Sequence, residues 1–228
     1  MIGRVLALGA AAWVGWAWLP HLATPACAWR GPRAGRRLAL TFDDGPDPDW
    51  TPRVLDLLGA AGIHATFFVI GERAARAPSI VRRIAAEGHE LGNHSWSHRN
   101  LWFCGPSATR EQLRRGHDAI AELTGAAPLH FRPPWGMVNA ATFRAVRKTG
   151  ERVVFWSIQP EGRRPAPAAR QVAHVLRRAH AGAIVDLHDA EGTRRAPERL
   201  VEALPEMIRG LRERGYAFST VAELLTAR

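Results

Sequence analysis

The chain has 228 residues, 46% of them hydrophobic and 23% charged, which suits one domain with a substantial core and is too apolar for a disordered chain. Its formal charge of +10 comes from 31 basic against 21 acidic residues, and Lys148 is the sole lysine. Such an arginine bias fits solvated helix faces, or attraction to an anionic membrane leaflet or acidic wall polymer. No basic stretch is interleaved with aromatics, so nucleic acid is discounted as a partner.

Residues 5–19 carry no charge; Arg4 precedes them, and Pro20 and His21 follow. A basic start, an apolar centre and the small-residue exit Ala26-Cys27-Ala28 have the form of a signal peptide. The run reaches spanning length over 5–28 only if His21 is tolerated. Trp13, Trp16 and Trp18 suit a membrane interface. Arg30, Arg33, Arg36 and Arg37 disfavour simple cleavage and suit a headgroup surface. The competing reading is an amphipathic helix packed on the domain. Residues 1–35 are therefore expected to be a signal or anchor segment, and 36–228 the catalytic domain. The protein is then exported or membrane-anchored in the cell envelope. Cys27 and Cys104 lack CxxC or zinc-finger spacing, and a disulfide between them is the pairing the sequence offers.

Beyond the extension, short apolar runs alternate with helical ones. Strands are expected over 37–42, 65–70, 89–93, 129–131, 152–158, 183–187 and 217–219. Helices are expected over 51–61, 78–87, 107–123, 140–149, 167–180 and 197–213, with a terminal helix after 219. Val54, Leu55, Leu57, Leu58 and Ala61 mark the first helical face and Gly62 its stop. Ser107 is the expected N-cap of the long helix that Gly125 closes. About seven β/α repeats without a hairpin signal predict a parallel sheet covered by helices, closed as a barrel or open as a doubly wound sheet. Either way the active site lies at the carboxyl ends of the strands. Asp43, Asp44, His94, His98, Arg132, Trp156 and His188 all fall at or just after a strand end.

Those residues carry chemistry. His94 and His98 are four apart, so a helical turn would put both imidazoles on one side. With one carboxylate they make a two-histidine, one-carboxylate set for a divalent metal, leaving positions for water and substrate. An HxxxH pair alone is usually a surface feature; the adjacent aspartates at another strand end make it specific. If one aspartate ligates and the other does not, the free carboxylate can take a proton from a water polarised by the metal. Asp43-Asp44-Gly45-Pro46 is also good turn chemistry, and Gly45 and Pro46 would shape the presenting loop. His188 could protonate a leaving group. Arg132 could hold a carboxylate ionised.

Thr41-Phe42-Asp43-Asp44-Gly45-Pro46 and His94-Ser95-Trp96-Ser97-His98 resemble the first two motifs of the polysaccharide deacetylases, the nodulation-deacetylase (NodB) homology domain of carbohydrate esterase family 4. Arg132-Pro133-Pro134-Trp135-Gly136 is similar to the third motif, with tryptophan for the usual tyrosine, and Leu187-His188 to the fifth. The resemblance runs from about Arg37 to the C-terminus. It implies an α/β fold, a distorted (β/α)7 barrel of parallel strands. It implies a divalent metal, zinc or sometimes cobalt or nickel, on Asp44, His94 and His98. Asp43 would be the general base and His188 the general acid. Arg132 would orient Asp43, and the Trp135 backbone N–H would stabilise the oxyanion. Trp156 and Leu187 would form the acetyl pocket. The chain departs from the pattern in the fourth motif: Gln159 stands where an aspartate positioning the acid histidine is expected, with Glu161 a second candidate.

The resulting expectation is a metal-dependent hydrolase removing N-acetyl groups from an acetylated glycan such as peptidoglycan, a chitin-like oligomer or a lipid-linked sugar. Rival readings are an O-acetyl esterase on an envelope glycan, a non-catalytic glycan-binding member of the fold, and a structural membrane-anchored protein. A glycosidase is disfavoured, because adjacent carboxylates rarely straddle a sugar ring.

Overall fold

The computed structural model describes residues 9–33, 35–162 and 164–227. Seven strands form one parallel sheet: β1 (Arg37–Asp43), β2 (Thr66–Val69), β3 (Glu90–Asn93), β4 (His130–Phe131), β5 (Arg152–Val153), β6 (Ala183–His188) and β7 (Ala217–Phe218). Their order is β5-β4-β3-β2-β1-β6, with β7 joining the lower end of β1. The helices α1 (Thr51–Ala61), α2 (Gly71–Arg76), α3 (Pro78–Ala86), α4 (Pro106–Thr124), α5 (Thr142–Thr149), α6 (Ala168–Arg178), α7 (Ala196–Glu213) and α8 (Val221–Thr226) connect or follow the strands.

The period-2 alternation of β1 divides the protein into layers. Leu38, Leu40 and Phe42 face the helices and pack in the largest core cluster with Val54, Leu55 and Leu58 of α1 and Leu204, Met207 and Leu211 of α7. Ala39 faces the barrel interior, with Phe68, Val154 and Ile184, and α8 plugs that end through Val221 and Leu224. Inside the same barrel, Thr41 and Asp43 meet Arg132. A capping box starts α8: Thr220 Oγ1 accepts from Glu223 N–H and Glu223 Oε2 accepts from Thr220 N–H.

The sheet curls into a distorted (β/α)7 barrel whose edge strands β5 and β6 do not pair and are joined by other segments of the chain. Above, Ile158 bridges Val185 of β6, and the Asp186 N–H donates to the Ile158 carbonyl at 2.9 Å. The segment expected to be one strand over 152–158 is therefore a two-residue strand, then a crossing to the other edge. Below, the gap is filled by the chain before β1. Ala28 N–H donates to Val153 O and Phe155 N–H to Ala28 O, while Gly31 N–H donates to Gly182 O.

Residues 28–31, set apart from the domain in the sequence reading, are thus hydrogen-bonded into its seam. Residues 9–26 are helical. They pack alongside: Trp16 Nε1 donates to Cys104 O, Trp102 Nε1 to His21 Nε2, and Ala17 is fully buried. Residues 1–8, part of the expected signal or anchor, lie outside the described residues. Among the described residues no helix is long and apolar enough to cross a membrane.

Three local expectations are corrected. Helix α4 starts at Pro106 with Gly105 as its N-cap and no side-chain cap, because proline already supplies the first helical φ, so Ser107 lies inside the helix. The short helix α2 follows β2 directly and was not anticipated. Cys27 and Cys104 are free thiols, both packed in the cluster around Leu101 and Phe155.

Candidate active site

The strand register assembles the rim. Asp43 at the end of β1 lies opposite His188 at the end of β6, and Phe68 of β2 lies beside both Asp43 and Gly92 of β3. Asp43 and Asp44 would point to opposite faces if β1 simply continued. Asp44 instead adopts a left-handed φ of 72°, which brings both carboxylates to one rim: Asp44 lies against both histidines, while Asp43 bonds Arg132 and keeps its Oδ2 3.9 Å from His94 Nε2.

Asp44 faces the histidines. Its Oδ1 lies 3.0 Å from His98 Nε2 and 3.4 Å from His94 Nε2. The three side chains form a cluster with a ligand atom from each within 4.8 Å of the others. His94 Nδ1 is 2.7 Å from the Arg132 carbonyl. A carbonyl only accepts, so Nδ1 carries a proton and Nε2 is the ring nitrogen presented to Asp44, the second-sphere arrangement of a metal-ligating histidine. Asp44 Oδ1 is buried without a hydrogen-bond partner. Burial alone would raise the Asp44 pKa; His94 and His98 outweigh it and hold the carboxyl well below the usual range. An orphaned anionic oxygen facing two imidazoles fits a divalent cation.

The histidine pair converges by a route the spacing did not suggest. Residues 94–98 are a loop, not a helical turn, with Ser95 at φ 68° and His98 at φ 52°. Asn93, fully buried, fixes it: its Oδ1 accepts from Ser95 N–H and its Nδ2 donates to Leu113 O of α4. Ser95 Oγ then accepts from His98 N–H. Helix α4 approaches closely enough for this only at Gly116, where a Cβ would fall 2.3 Å from Asn93 Oδ1. Asp44, Ser95, His98 and Trp135 are four of the five non-glycine residues with positive φ among the described residues. Backbone strain of ~1–3 kcal/mol apiece concentrates where the ligands must converge.

Asp43 faces Arg132. Its Oδ1 accepts from Arg132 Nη1 at 2.7 Å, and Thr41 Oγ1 takes the same nitrogen at 2.6 Å. Arg132 Nη2 donates to Phe155 O at 3.0 Å. The guanidinium is wholly buried and lies 4.1 Å above the Phe68 ring. Phe68 fits there because Gly92 leaves the space, a Cβ falling 2.5 Å from the ring. Burial pulls His188 down, but Asp186, Asp44, Asp43 and Glu161 outweigh it and raise its pKa.

The other expected rim residues divide. Trp135 is beside the triad, its ring centroid 4.3 Å from that of His98, and more than half exposed. Trp156 is half-buried, 5.6 Å from the Arg132 guanidinium. Leu187 is not brought to the rim: strand alternation sends it to the helix-facing core with Val185, opposite His188. Glu161 is buried and engaged by Arg199, Thr193 and Gln171, so it anchors the loop after β5. Gln159 Nε2 donates to Asp186 Oδ2 at 2.9 Å. Two buried carboxylates had been given no role, Asp186 and Asp189. Burial pushes each up to about 7, with Asp43 adding to the rise at Asp186. The signal for Asp186 was a charge inside the apolar run Ala183–Leu187, in phase with His188.

A parallel barrel carrying an Asp-His-His cluster, a second carboxylate on a buried arginine and a histidine opposite defines a hydrolase site of the metal-assisted kind. Comparison with known proteins sharpens the class. The polysaccharide deacetylase family profile matches residues 30–154. A peptidoglycan-N-acetylglucosamine deacetylase of Bacillus cereus is 38% identical over 199 residues, covering 86% of this chain and 92% of that protein. A chitooligosaccharide deacetylase of a Bradyrhizobium species is 36% identical over 198 residues, covering 83% and 90%. Among solved structures, the Bc1960 peptidoglycan N-acetylglucosamine deacetylase superposes with a TM-score of 0.85 at 32% identity, over 92% of this chain and 99% of that one. The chain belongs to the polysaccharide deacetylase family and is a glycan deacetylase.

Proposed function

We propose that the chain hydrolyses N-acetyl groups of amino-sugar glycans in the cell envelope, with peptidoglycan as its substrate class. The observation that carries this reading is the split between adjacent aspartates, Asp44 on His94 and His98, and Asp43 on Arg132. The B. cereus relative, similar over nearly its whole length, supports the choice of glycan. Asp44, His94 and His98 would hold a divalent ion, zinc in the first instance, with cobalt or nickel as alternatives. When bound, the ion supplies Lewis acidity that activates water and polarises the amide carbonyl. Asp43 Oδ2, not bonded to Arg132, takes the proton from the attacking water. Arg132 keeps the carboxylate in place throughout. His188, protonated at the start, gives its proton to the departing amine nitrogen, so the amide C–N bond breaks to acetate and a free amino sugar. Trp135 N–H faces the developing oxyanion, a main-chain role that tryptophan fills as tyrosine would.

Acetate release from peptidoglycan, chitin oligomers and an O-acetylated glycan tests the reading. The expected result is release from an N-acetylated substrate, lost on chelation and restored by zinc. Release from the O-acetylated glycan alone would replace it with the esterase reading.

We further infer that the enzyme rests on a membrane surface through its N-terminal helical stretch. Trp13, Val14, Trp18, Leu19, Leu22 and Phe103 are exposed, and Trp13 stacks on Phe103. Exposed tryptophan and leucine on one short segment suit an interfacial helix. Co-sedimentation with anionic phospholipid vesicles should fall at least about fivefold, the loss of ~1 kcal/mol or more of buried apolar contact, in Trp18→Ser/Leu22→Asp. Equal binding by that variant would remove the membrane reading while leaving the deacetylase reading intact.

A further inference from the structure

Gln159 lacks the charge that the fourth motif calls for, and the structure shows where a charge lies instead. Asp186 and His188 sit two residues apart on β6 and face the barrel interior together. Asp186 is 2% exposed. Its Oδ2 accepts from Gln159 Nε2 at 2.9 Å, and its Oδ1 lies 3.6 Å from Arg132 Nη1 without a hydrogen bond. The crossing of residues 157–158 onto β6 fixes this pairing, because Asp186 N–H is itself tied to Ile158 O. The amide thus clamps a carboxylate that a single strand carries to the histidine.

We infer that Asp186, held by Gln159, is the positioning residue that sets the protonation of His188 for amine departure. The inference rests on the proposed role of His188. The negative charge beside the acid is supplied from β6, on the other side of the barrel seam from Gln159. Four carboxylates lie near enough to raise the His188 pKa: Asp186 on its own strand, Asp43 and Asp44 from the end of β1, and Glu161 from the loop after β5. Asp43 is hydrogen-bonded to Arg132 and Glu161 to Arg199, Asp44 belongs to the ligand cluster, and Asp186 shares Arg132 only at 3.6 Å without a hydrogen bond. Asp186 keeps one oxygen free, and its charge is the largest influence raising the His188 pKa against burial.

The test is Asp186→Asn, which preserves the shape and an acceptor for Gln159. Removing the negative charge should let His188 lose its proton at lower pH. In the zinc-loaded full chain, the His188 imidazole titration followed by NMR should drop by about one pH unit or more. The alkaline limb of kcat should move the same way, with KM within about twofold. Returning the carboxylate to the other side in Gln159→Asp/Asp186→Asn should restore both readouts, which a merely structural role would not produce. An unmoved His188 titration in Asp186→Asn, or a double variant no better than the single one, overturns the inference. A chain inactive on every acetylated glycan, yet with a shifted His188 titration, would instead reject the proposed activity and leave the coupling standing.

Discussion

Asp43→Asn is expected to lower kcat by about 10²–10⁴-fold, the range for loss of a positioned general base, with zinc content unchanged. The amide replaces the carboxylate without loss of volume and still offers Arg132 an acceptor at the 2.7 Å position. Asp44, His94 and His98 are untouched, so the ligand set survives. The neighbouring Asp44→Asn should behave differently. It removes the one anionic group of the cluster, so the bound ion is lost along with activity. Metal analysis of the purified variants beside acetate release separates the two adjacent residues. An Asp43→Asn enzyme within about fivefold of wild type, or one that loses its metal, would refute the assignment of Asp43 as base.

That division of labour also shows what was legible in the sequence. The two long strands, β1 and β6, announced themselves as apolar runs ending in polar groups, because a parallel strand is buried on both faces and its carboxyl end is where chemistry can sit. So those strands and the residues at their ends were readable in advance, whereas the crossing after Val153 was not. Less readable were features set by contacts across the barrel. The spacing of His94 and His98 suggested a helical turn, but the buried Asn93 and the close approach at Gly116 force a strained loop. The resemblance assigned Leu187 to the acetyl pocket, whereas period-2 alternation puts it on the helix-facing side of β6. The same alternation, applied to His188, points back to Asp186. The seam was invisible because residues 28–31 take their partners from Val153, Phe155 and Gly182, more than 120 positions away.

Arg132→Met should be the most damaging single change to the fold. Arg132 is wholly buried and is the cation facing both Asp43 and Asp186. Methionine would fill much of the volume over Phe68 but leave two buried carboxylates without compensation. Breaking one side of a buried ion pair costs about 3–5 kcal/mol, readable as a shift in the urea midpoint of the metal-loaded protein. The pH dependence gives the sign. Asp186 is already pushed up to about 7 in the folded protein, chiefly by burial and then by Asp43, above the ~3.9 of an unfolded aspartate. A raised carboxyl binds more protons folded than unfolded, so its contribution is present below the unfolded value and lost as pH rises through the folded one. Without Arg132 that rise grows, and His188 gains a further reason to stay protonated. The gap between variant and wild type should therefore be wider at pH 8 than at pH 5. Adding Asp43→Asn to Arg132→Met should recover part of the loss by removing one stranded charge, a non-additivity expected of contacting partners. A gap equal at both pH values, with strictly additive losses in the double variant, would mean that Arg132 serves the fold by packing and that the carboxylates around it are not charge-coupled to it.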